Sequence, residues 1–375
     1  MKKLLIASDC FLPRWDGIAR FLSEVIPSLS NDYDITVLAP RFKGASPEYR
    51  GVKVIRFPLL KIIRFGDTYP CIPKIKEIEK EVREADIVWT HTIGPIVWFV
   101  NHYAVKHKKP LVAYVHSLEG ELAKKALKNF FKRSIVYYLT RTLGISLYNK
   151  CNLLLIPSKD VGKKLNEKGV KTRKRVVHLG VDTGKFVPSE DKSASKLKIG
   201  IKPKTKVIGF SGRIGREKDL MTLYKAFLRL KKEYSNLILL IAGKGIREQE
   251  RILKKDKNVK LIGAVDNIVP YLQAMDIYVL PSLTETSSLS TMEAMSCGVP
   301  PVVTRIGYPK KYIKDKVNGC FFPVKNAYVL SIKLDSLLKD DGFREGMGEQ
   351  ARKTIKERFP WEKTVKEIRE VLKSF

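Results

Sequence analysis

The sequence predicts an α/β protein built from two doubly wound parallel sheets, each with helices on both faces. Short apolar runs of strand length alternate along the chain with longer segments of helical periodicity, as they do in βαβ units. These runs form two series, separated by a polar, lysine-rich stretch at residues 186–206. The chain of 375 residues is also longer than one hydrophobic core ordinarily supports. Two domains of similar architecture are therefore expected.

The N-terminal series predicts seven buried strands. They are expected at residues 4–8, 35–39, 52–57, 87–90, 111–115, 153–156 and 176–179. Continuous apolar runs of this length are typical of parallel strands that are covered on both faces. The opening run, which ends at Ala7, is too short for the apolar core of a signal peptide, so it is interpreted as the first strand. An N-terminal domain is expected over residues 1–188.

The C-terminal series predicts five further strands and a closing helix. The strands are expected at residues 207–211, 237–242, 259–262, 277–280 and 301–304. Serine and proline residues in the stretch before them weaken regular structure there, which places a second domain at residues 189–358. Behind Pro360, four apolar residues recur at helical spacing, namely Trp361, Val365, Ile368 and Leu372. They predict an amphipathic helix within residues 359–375 that packs toward the N-terminal domain.

The composition describes a folded chain with a strong positive charge. Hydrophobic residues make up 44% of it, and 71 Lys and Arg against 39 Asp and Glu give a net charge of +32. Such a balance predicts an anionic partner, whether phosphate, acidic lipid or nucleic acid. No apolar run approaches the roughly 20 residues that a membrane-spanning helix needs. Contact with a bilayer is therefore expected from the surface of the protein alone.

The cysteines indicate a reducing compartment. The five of them are scattered along the chain and form no Cys-x-x-Cys pair. Neither a disulfide framework nor a zinc site is therefore indicated, and a cytoplasmic location is expected.

Two carboxylates late in the second series are candidate ligand-binding residues. Glu285 and Glu293 are eight positions apart, which on one continuous helix would separate them by about 12 Å. They can share a ligand only if Glu285 lies in a loop and Glu293 in the helix that follows. The sequence allows this, because a Ser/Thr-rich loop follows a predicted strand and residues 292–297 have a helical pattern. The alternative is a capping box, in which Ser290 begins the helix and Glu293 reaches back to it.

Two cations follow the first strand of the same series. Arg213 comes directly after Gly212, and Lys218 stands five positions later, between a predicted strand and a helix. In open α/β sheets, ligands bind at the carboxyl ends of the strands, where helix N-termini favour phosphate. The cations are therefore candidates for binding a diphosphate, and a solvated basic loop is the alternative.

These motifs occur in the order that a known enzyme family shows. In the C-terminal half they are residues 212–218, 241–245, 275–282, the Glu285 and Glu293 pair, 293–300 and 318–319, and in the N-terminal half residues 9–13 with Gly17, His116, and 180–182 with Phe186. The sequence resembles the retaining family-four glycosyltransferases, also called glycosyl transferases group 1. Their fold, called GT-B, has two Rossmann-like domains that face each other across a cleft. The resemblance implies that fold and a hexosyltransferase that uses a UDP- or GDP-linked sugar.

The resemblance also implies roles for individual residues. Arg213 and Lys218 would neutralise the diphosphate and the charge that builds on the departing oxygen, while Glu285 would face hydroxyls of the donor sugar. Glu293 would hold the ribose hydroxyls. The other residues implied in catalysis or donor binding are His116, Gly17, Gly212, Leu289 and Ser290. Gly17 would let backbone N–H groups approach the β-phosphate, and His116 would project toward the sugar, with a satisfied histidine at a strand end as the alternative.

The implied reaction retains the anomeric configuration and uses neither a protein nucleophile nor a bound metal or other cofactor. The one Asp-x-Asp, at Asp32 and Asp34, falls between a predicted helix and strand and is interpreted as a solvated turn. The sequence departs from the family at residues 286–288, where glycines are usual, and again at Asp16 and at residues 307–311. These departures leave the identity of the donor sugar open.

A basic segment in the N-terminal half bears on the acceptor. No acidic residue occurs between Glu121 and Asp160. The residues expected at a membrane or acceptor surface are Lys124, Lys125, Lys128, Phe131, Lys132 and Arg133. Basic amphipathic helices with aromatic residues lie on anionic bilayers. A lipid or lipid-linked acceptor at the cytoplasmic face of a membrane is therefore predicted. A helix packed on the sheet with a solvated basic side is the alternative.

Two other classes of function remain open at this point. A sugar-nucleotide epimerase can share the fold and would need no acceptor. A nucleic-acid-binding protein is suggested by charge alone, because the sequence has no helix-turn-helix, zinc-finger or aromatic RNA-binding pattern and its basic residues are spread over both halves. Nucleic acid is therefore not among the predicted partners.

Overall fold

The chain divides into two compact units. A computed structural model describes residues 1–14, 16–44, 48–62, 69–118 and 130–375, with the side chains of 130–133 excepted. The first unit comprises Met1–His178 with Thr364–Phe375, and the second comprises Leu179–Lys363. The division falls before residue 188 because the connecting stretch, including Phe186, is buried in the core of the second unit.

The first unit is a parallel sheet with helices between its strands. Its strands are β1 (Lys2–Ala7), β2 (Tyr33–Pro40), β3 (Val52–Phe57), β4 (Ile87–Thr90), β5 (Leu111–Tyr114), β6 (Leu153–Ile156) and β7 (Lys174–Val176). Its helices are α1 (Gly17–Leu29), α2 (Ile75–Glu84), α3 (Pro95–Lys106), α4 (Phe130–Asn149) and α5 (Lys159–Glu167). Every residue of β4, β5 and β6 is buried, as the continuous apolar runs predict.

The strands of the first sheet follow the order β3-β2-β1-β4-β5-β6-β7, and neighbouring strands are parallel. The order reverses between β1 and β4, where doubly wound sheets bind ligands at their carboxyl edge. The predicted strands are confirmed, but the seventh lies at Lys174–Val176 rather than at 176–179. Directly beyond it, the N–H of Val177 still donates to the Ile156 carbonyl at 3.0 Å. Side-chain contacts are then added, because the Tyr114 hydroxyl donates to the Val177 carbonyl at 2.7 Å and His178 Nδ1 lies 2.8 Å from the Pro157 carbonyl.

The second unit repeats this architecture. Its strands are β8 (Lys206–Ser211), β9 (Leu237–Ala242), β10 (Val259–Gly263), β11 (Ile277–Leu280), β12 (Pro301–Thr304) and β13 (Cys320–Phe322). Its helices are α6 (Lys192–Lys198), α7 (Leu220–Leu230), α8 (Arg247–Leu253), α9 (Val269–Ala274), α10 (Leu289–Ser296), α11 (Pro309–Tyr312), α12 (Ala327–Lys339) and α13 (Asp341–Arg358). The strand order is β10-β9-β8-β11-β12-β13, all parallel, with the reversal between β8 and β11.

Two elements of the second unit differ from the prediction. The edge strand β13 was not predicted, and α6 lies in the stretch that was expected to be irregular. The Asp191 carboxylate caps α6 by accepting from the N–H of Ser193 at 2.7 Å. In the same helix, Lys196 Nζ forms a buried ion pair with Asp276 at 2.9 Å. These two interactions hold a helix whose serine and lysine residues give no periodic apolar signal.

The last helix, α14 (Trp361–Lys373), supplies the C-terminal part of the first unit from Thr364 onward. Its apolar face is buried at Ile368, Val371 and Leu372. The predicted amphipathic helix is therefore confirmed. Asp32 lies in a turn and is partly exposed, as predicted, and its carboxylate also forms an ion pair with Arg369 Nε of this helix at 2.8 Å.

Candidate active site

The loops after β8 and β9 lie close together at the carboxyl edge of the second sheet. Gly212 follows β8 with a φ of 140°, and its N–H donates to the Ala242 carbonyl at 2.9 Å. A Cβ atom added at Gly243 would overlap the carbonyl oxygen of Gly212. Glycine at position 243, within the 241–245 motif, is therefore required for the two backbones to approach. Arg213 follows at the strand end, where the sequence predicts it.

The structure brings Lys218 and Glu285 into direct contact. Lys218 ends a short 3₁₀ turn, and Glu285 lies in the loop between β11 and α10. Lys218 Nζ forms an ion pair with Glu285 Oε1, to which Ser282 Oγ also donates at 2.8 Å. The two side chains are 21% and 9% exposed. Because β8 and β11 are neighbours at the reversal in strand order, a cation and a carboxylate meet at the edge where ligands bind.

Arg213 has an acidic partner that sequence reasoning missed. Its Nη2 forms an ion pair with Oε1 of Glu217, whose side chain is 3% exposed. A Cβ atom at Gly215 would overlap that carboxylate, and the N–H of Leu283 donates to the Glu217 carbonyl at 2.7 Å. Glu217 therefore connects the loop after β8 to the loop after β11. The signal in the sequence was the acidic residue that stands between Arg216 and Lys218 in this loop.

Glu293 lies within α10, as sharing a ligand with Glu285 requires. Its exposure is 2%, and the helix begins at Leu289. The capping-box alternative is wrong, because Ser290 is the second residue of the helix rather than its N-cap. The Ser290 hydroxyl instead accepts a hydrogen bond from the Tyr278 hydroxyl at 2.8 Å. Leu289 and Ser290 are both half-buried in the first turn.

The loop at residues 286–288 is fixed by the loop that follows β12. The N–H of Tyr308 donates to the Thr286 carbonyl at 3.0 Å, and the Tyr312 hydroxyl donates to the Ser287 carbonyl at 3.2 Å. Burial raises the pKa of the Tyr312 hydroxyl well above its ordinary value, so this hydroxyl remains a donor at neutral pH. Neither tyrosine was singled out by sequence reasoning. Ser288, directly before α10, has a φ of 59°, in the left-handed region that favours glycine.

In the first unit, Gly17 is the exposed first residue of α1. The carboxylate of Asp16 accepts from the N–H groups of Ile18 and Ala19 at 3.0 and 2.9 Å. These are donors that a phosphate at this helix N-terminus would use. A Cβ atom at position 17 would meet no atom within 4 Å among the described residues, so the fold of this unit does not itself require glycine there.

His116 lies just beyond β5 and is 8% exposed. Its Nε2 is 3.0 Å from Nδ1 of His91, which directly follows β4 and is 1% exposed. Burial lowers the pKa of His116 to about 3 and lowers that of His91 well below its ordinary value. His116 therefore has a hydrogen-bonding partner at one ring nitrogen, Nε2, and stands at the carboxyl edge of the sheet. His91 was missed, and its place directly after a predicted strand was the available signal.

Most of the basic segment lies outside the residues that the structure describes. Lys124, Lys125 and Lys128 lie outside the described residues. Phe131, Lys132 and Arg133 belong to α4, but their side chains are outside the described set. Farther along α4, three apolar side chains are well exposed, Ile135 at 60%, Tyr138 at 63% and Leu139 at 64%. None of the helices described is both long and apolar enough to cross a bilayer.

Both halves of the chain match models of glycosyltransferase families. The family described as Glycosyltransferase Family 4 matches residues 15–185, and the family described as Glycosyl transferases group 1 matches residues 191–354. The ranges are consecutive and fall largely on separate units.

Individual proteins agree with these family matches. An uncharacterized glycosyltransferase of Methanocaldococcus jannaschii is 28% identical, over 98% of this chain and 97% of its own. The alpha-monoglucosyldiacylglycerol synthase of Streptococcus pneumoniae is 24% identical, over 84% of this chain and 74% of its own. In fold, the chain is similar to Anabaena HepE in complex with UDP and glucose, with a TM-score of 0.82 and 17% identity over 100% of both chains. This chain therefore belongs to the family-four glycosyltransferases, the glycosyl transferases of group 1, and has their GT-B fold.

Proposed function

We propose that the chain transfers a hexose from a UDP- or GDP-linked donor, with retention of configuration and without a bound metal, to a lipid or lipid-linked acceptor at an anionic membrane surface. The observation that carries the donor side of this proposal is the contact between Lys218 and Glu285 at the reversal in strand order of the second sheet. A cation for phosphate and a carboxylate for sugar hydroxyls adjoin there, as a glycosyl diphosphate requires.

The two cations are held in place by carboxylates. Lys218 is paired with Glu285 and Arg213 with the buried Glu217. Donors fixed in this way stabilise developing charge without reorganising as the reaction proceeds. Arg213 and Lys218 then neutralise the diphosphate and supply the positive charge for which other enzymes use a metal ion. Glu293, buried in α10, accepts hydrogen bonds from the ribose hydroxyls.

Retention follows from a front-side displacement in this proposal. The bond between the anomeric carbon and the phosphate oxygen breaks, and the acceptor oxygen forms its bond to that carbon on the same face. The acceptor proton passes to the departing phosphate oxygen, whose charge Arg213 and Lys218 stabilise. Glu285 orients the donor sugar through its hydroxyls and forms no covalent bond to it.

The acceptor side rests on separate observations. By its name, the Streptococcus pneumoniae relative makes a glucosylated diacylglycerol. In this chain, the exposed Ile135, Tyr138 and Leu139 follow the basic segment along α4. Apolar side chains beside a segment that lacks acidic residues are suited to the interface of an anionic bilayer. These features support peripheral binding to the cytoplasmic face of a membrane.

A panel of nucleotides tests the donor proposal. UDP, GDP and ADP are added separately to the full chain, and its thermal midpoint is measured. A ligand at 100 times its Kd stabilises the folded state by about 2.7 kcal/mol, so UDP or GDP is expected to raise the midpoint clearly. Glu293→Ala should weaken donor binding and so reduce this shift, because the ribose hydroxyls lose their acceptor. If none of these nucleotides stabilises the protein, donor binding at this site is wrong.

Turnover tests the reaction itself. The cognate nucleotide sugar is incubated with the protein, with and without vesicles that contain diacylglycerol and anionic lipid. We expect a glycolipid with the anomeric configuration of the donor, in the presence of EDTA as well as without it. Arg213→Ala and Lys218→Ala should chiefly slow bond cleavage. Conversion of the sugar without an acceptor would instead identify an epimerase.

A further inference from the structure

Two buried histidines meet at the carboxyl edge of the first sheet. His91 directly follows β4, and His116 lies just beyond β5, the neighbouring strand. Nδ1 of His91 and Nε2 of His116 are 3.0 Å apart, which is hydrogen-bonding distance. Since β4 adjoins β1 at the reversal in strand order, the pair stands where doubly wound sheets bind ligands.

Aromatic side chains enclose the two imidazoles. The ring centroid of Trp89 is 4.3 Å from that of His91, and the centroids of Tyr114 and Phe21 are 4.6 and 5.0 Å from that of His116. This apolar enclosure disfavours the charged form of both rings, which is why their pKa values are low. Both rings are therefore neutral at pH 7, and a single hydrogen lies between Nδ1 and Nε2.

Two arrangements of that hydrogen are possible. If His116 carries it on Nε2, then neutral His91 carries its own hydrogen on its Nε2. If His91 carries it on Nδ1, then neutral His116 carries its own on Nδ1. Nε2 of His91 is buried and has no hydrogen-bond partner among the residues that the structure describes. Buried N–H groups without a partner are rarer than acceptors with an unused lone pair. The second arrangement is therefore favoured.

We propose that His91 is a positioning residue for sugar transfer, and that the hydrogen bond from its Nδ1–H to Nε2 of His116 fixes the orientation and tautomer of His116. The proposal rests on the proposed function and on the family resemblance, which implies that His116 projects toward the donor sugar. With its hydrogen on Nδ1, His116 is a neutral hydrogen-bond donor toward a sugar hydroxyl. Its Nε2 lone pair is occupied by His91, so this nitrogen does not serve as a base.

Nitrogen-15 NMR of the full chain tests the tautomer without any assay of activity. The chain has five histidines, so a histidine-labelled sample gives a spectrum that single substitutions can assign. We expect His91 and His116 to remain neutral at mildly acidic pH, with the hydrogen of His116 on Nδ1 and that of His91 on Nδ1. A hydrogen on Nε2 of His116 in the wild-type protein overturns the proposal.

Two substitutions at position 91 test its effect on the reaction. The amide nitrogen of asparagine stands near the place of Nδ1, so His91→Asn retains the donor that His91→Phe removes. We expect His91→Phe to lower kcat about tenfold, as the loss of one hydrogen bond does, with little change in the donor KM. His91→Asn should stay close to the wild-type kcat, with the Nδ1–H tautomer of His116 retained.

The outcomes separate this proposal from the proposed function. An active wild-type protein whose kcat is unchanged by His91→Phe overturns the positioning role. A wild-type protein that transfers no sugar defeats the proposed function, and the positioning role in that reaction falls with it, while the tautomer is still decided by its spectrum. If His91→Phe does not fold, the proposal is tested by the wild-type spectrum and by the turnover of His91→Asn. A low kcat in His91→Asn, with the Nδ1–H tautomer of His116 retained, also contradicts the proposal.

Discussion

Arg213 is held by a carboxylate that lies deeper in the protein than its own guanidinium. The Glu217 side chain is 3% exposed, whereas that of Arg213 is 33% exposed. Gly215 leaves the space that this carboxylate occupies, and the Glu217 backbone is bonded to the loop after β11 through Leu283. The acid therefore holds the guanidinium of Arg213, while about a third of the whole side chain is exposed to solvent.

This arrangement predicts the effect of removing the charge at position 217. Glu217→Gln should lower kcat about tenfold, because Arg213 loses a charge-assisted hydrogen bond and with it a fixed position. The matched control is Glu248→Gln, which removes an exposed carboxylate, 61% accessible, that lies 3.4 Å from Arg216. Such surface pairs contribute about 0 to 1 kcal/mol, so this variant should retain wild-type turnover. Equal kcat values for the two variants would contradict the positioning of Arg213 by Glu217.

Ser288 offers a test of backbone strain at the start of α10. It has a φ of 59°, and its hydroxyl is 2.8 Å from that of Thr291. Ser288→Gly and Ser288→Ala both remove the hydroxyl, but only glycine removes the cost of the left-handed conformation. The glycine variant should therefore be more stable than the alanine variant by about 1 kcal/mol in urea unfolding. Equal stabilities would show that the conformation costs nothing here.

For single residues, the sequence predicted those that form a motif and missed those that hold the motif residues in place. Arg213, Lys218, Glu285 and Glu293 stand at fixed spacings beside strand ends, so their positions in the loops and in α10 followed from the pattern. Glu217, by contrast, acts through a contact that its loop makes only after folding. The spacing of residues along the sequence does not show which carboxylate a flexible arginine side chain contacts in the folded protein.

Among the elements, the buried parallel strands were predictable because each is a continuous apolar run. Strand β13 has only three residues and pairs with β12 alone, so its signal is too short to separate from a loop. Helix α6 was hidden for a different reason. Its stability depends on the buried pair of Lys196 with Asp276, residues that are far apart in sequence. Both elements therefore depend on tertiary contacts, β13 on its pairing with β12 and α6 on Asp276.

His91 and His116, just beyond the ends of β4 and β5, make the unfolding free energy of the first unit depend on pH. Folding lowers the pKa of His91 and His116, so below about pH 6.5 the unfolded chain binds protons that the folded chain does not. Their stabilising effect is therefore complete above that pH and is lost as the pH falls, at roughly 1.4 kcal/mol per pH unit for each histidine.

His91→Asn removes one of these two titrating groups. In this variant, the contribution of the pair to the fall in unfolding free energy per pH unit on mild acidification should be about half of its wild-type value. Urea unfolding at several pH values would measure this slope. His102→Asn is the control, because His102 is exposed and lies outside the pair. If the unfolding free energy depends on pH equally in the wild-type protein, His91→Asn and His102→Asn, the burial of neutral histidines is contradicted.

For the whole molecule, the positive charge is the property that the donor site alone does not explain. The site uses two cations, Arg213 and Lys218, and the carboxylates Glu217, Glu285 and Glu293, whereas the chain has a net charge of +32. Adaptation to heat would add charges of both signs, so it leaves the excess unexplained. An excess of this size, without an acidic residue between Glu121 and Asp160, fits a protein that works beside an anionic surface.

Charge reversal distinguishes a local docking segment from a general attraction by net charge. Replacing Lys125, Lys128 and Lys132 with glutamate should release the protein from anionic vesicles in a sedimentation assay. Each lysine near the surface contributes about 1 kcal/mol, so the loss of three lowers binding by more than about a hundredfold. Because Lys125 and Lys128 lie outside the described residues, this expectation rests on the sequence.

The matched control reverses Lys254, Lys255 and Lys257, which are exposed beyond α8 in the second unit. It changes the net charge by the same amount as the first variant. If the bilayer attracts the protein as a uniformly charged body, both variants are released equally, and the segment has no special role. Apolar side chains insert into a bilayer only if one particular side of the protein is held at the interface. Release of the Lys125, Lys128 and Lys132 variant alone would therefore show that the basic segment forms one membrane-facing surface with the exposed Ile135, Tyr138 and Leu139.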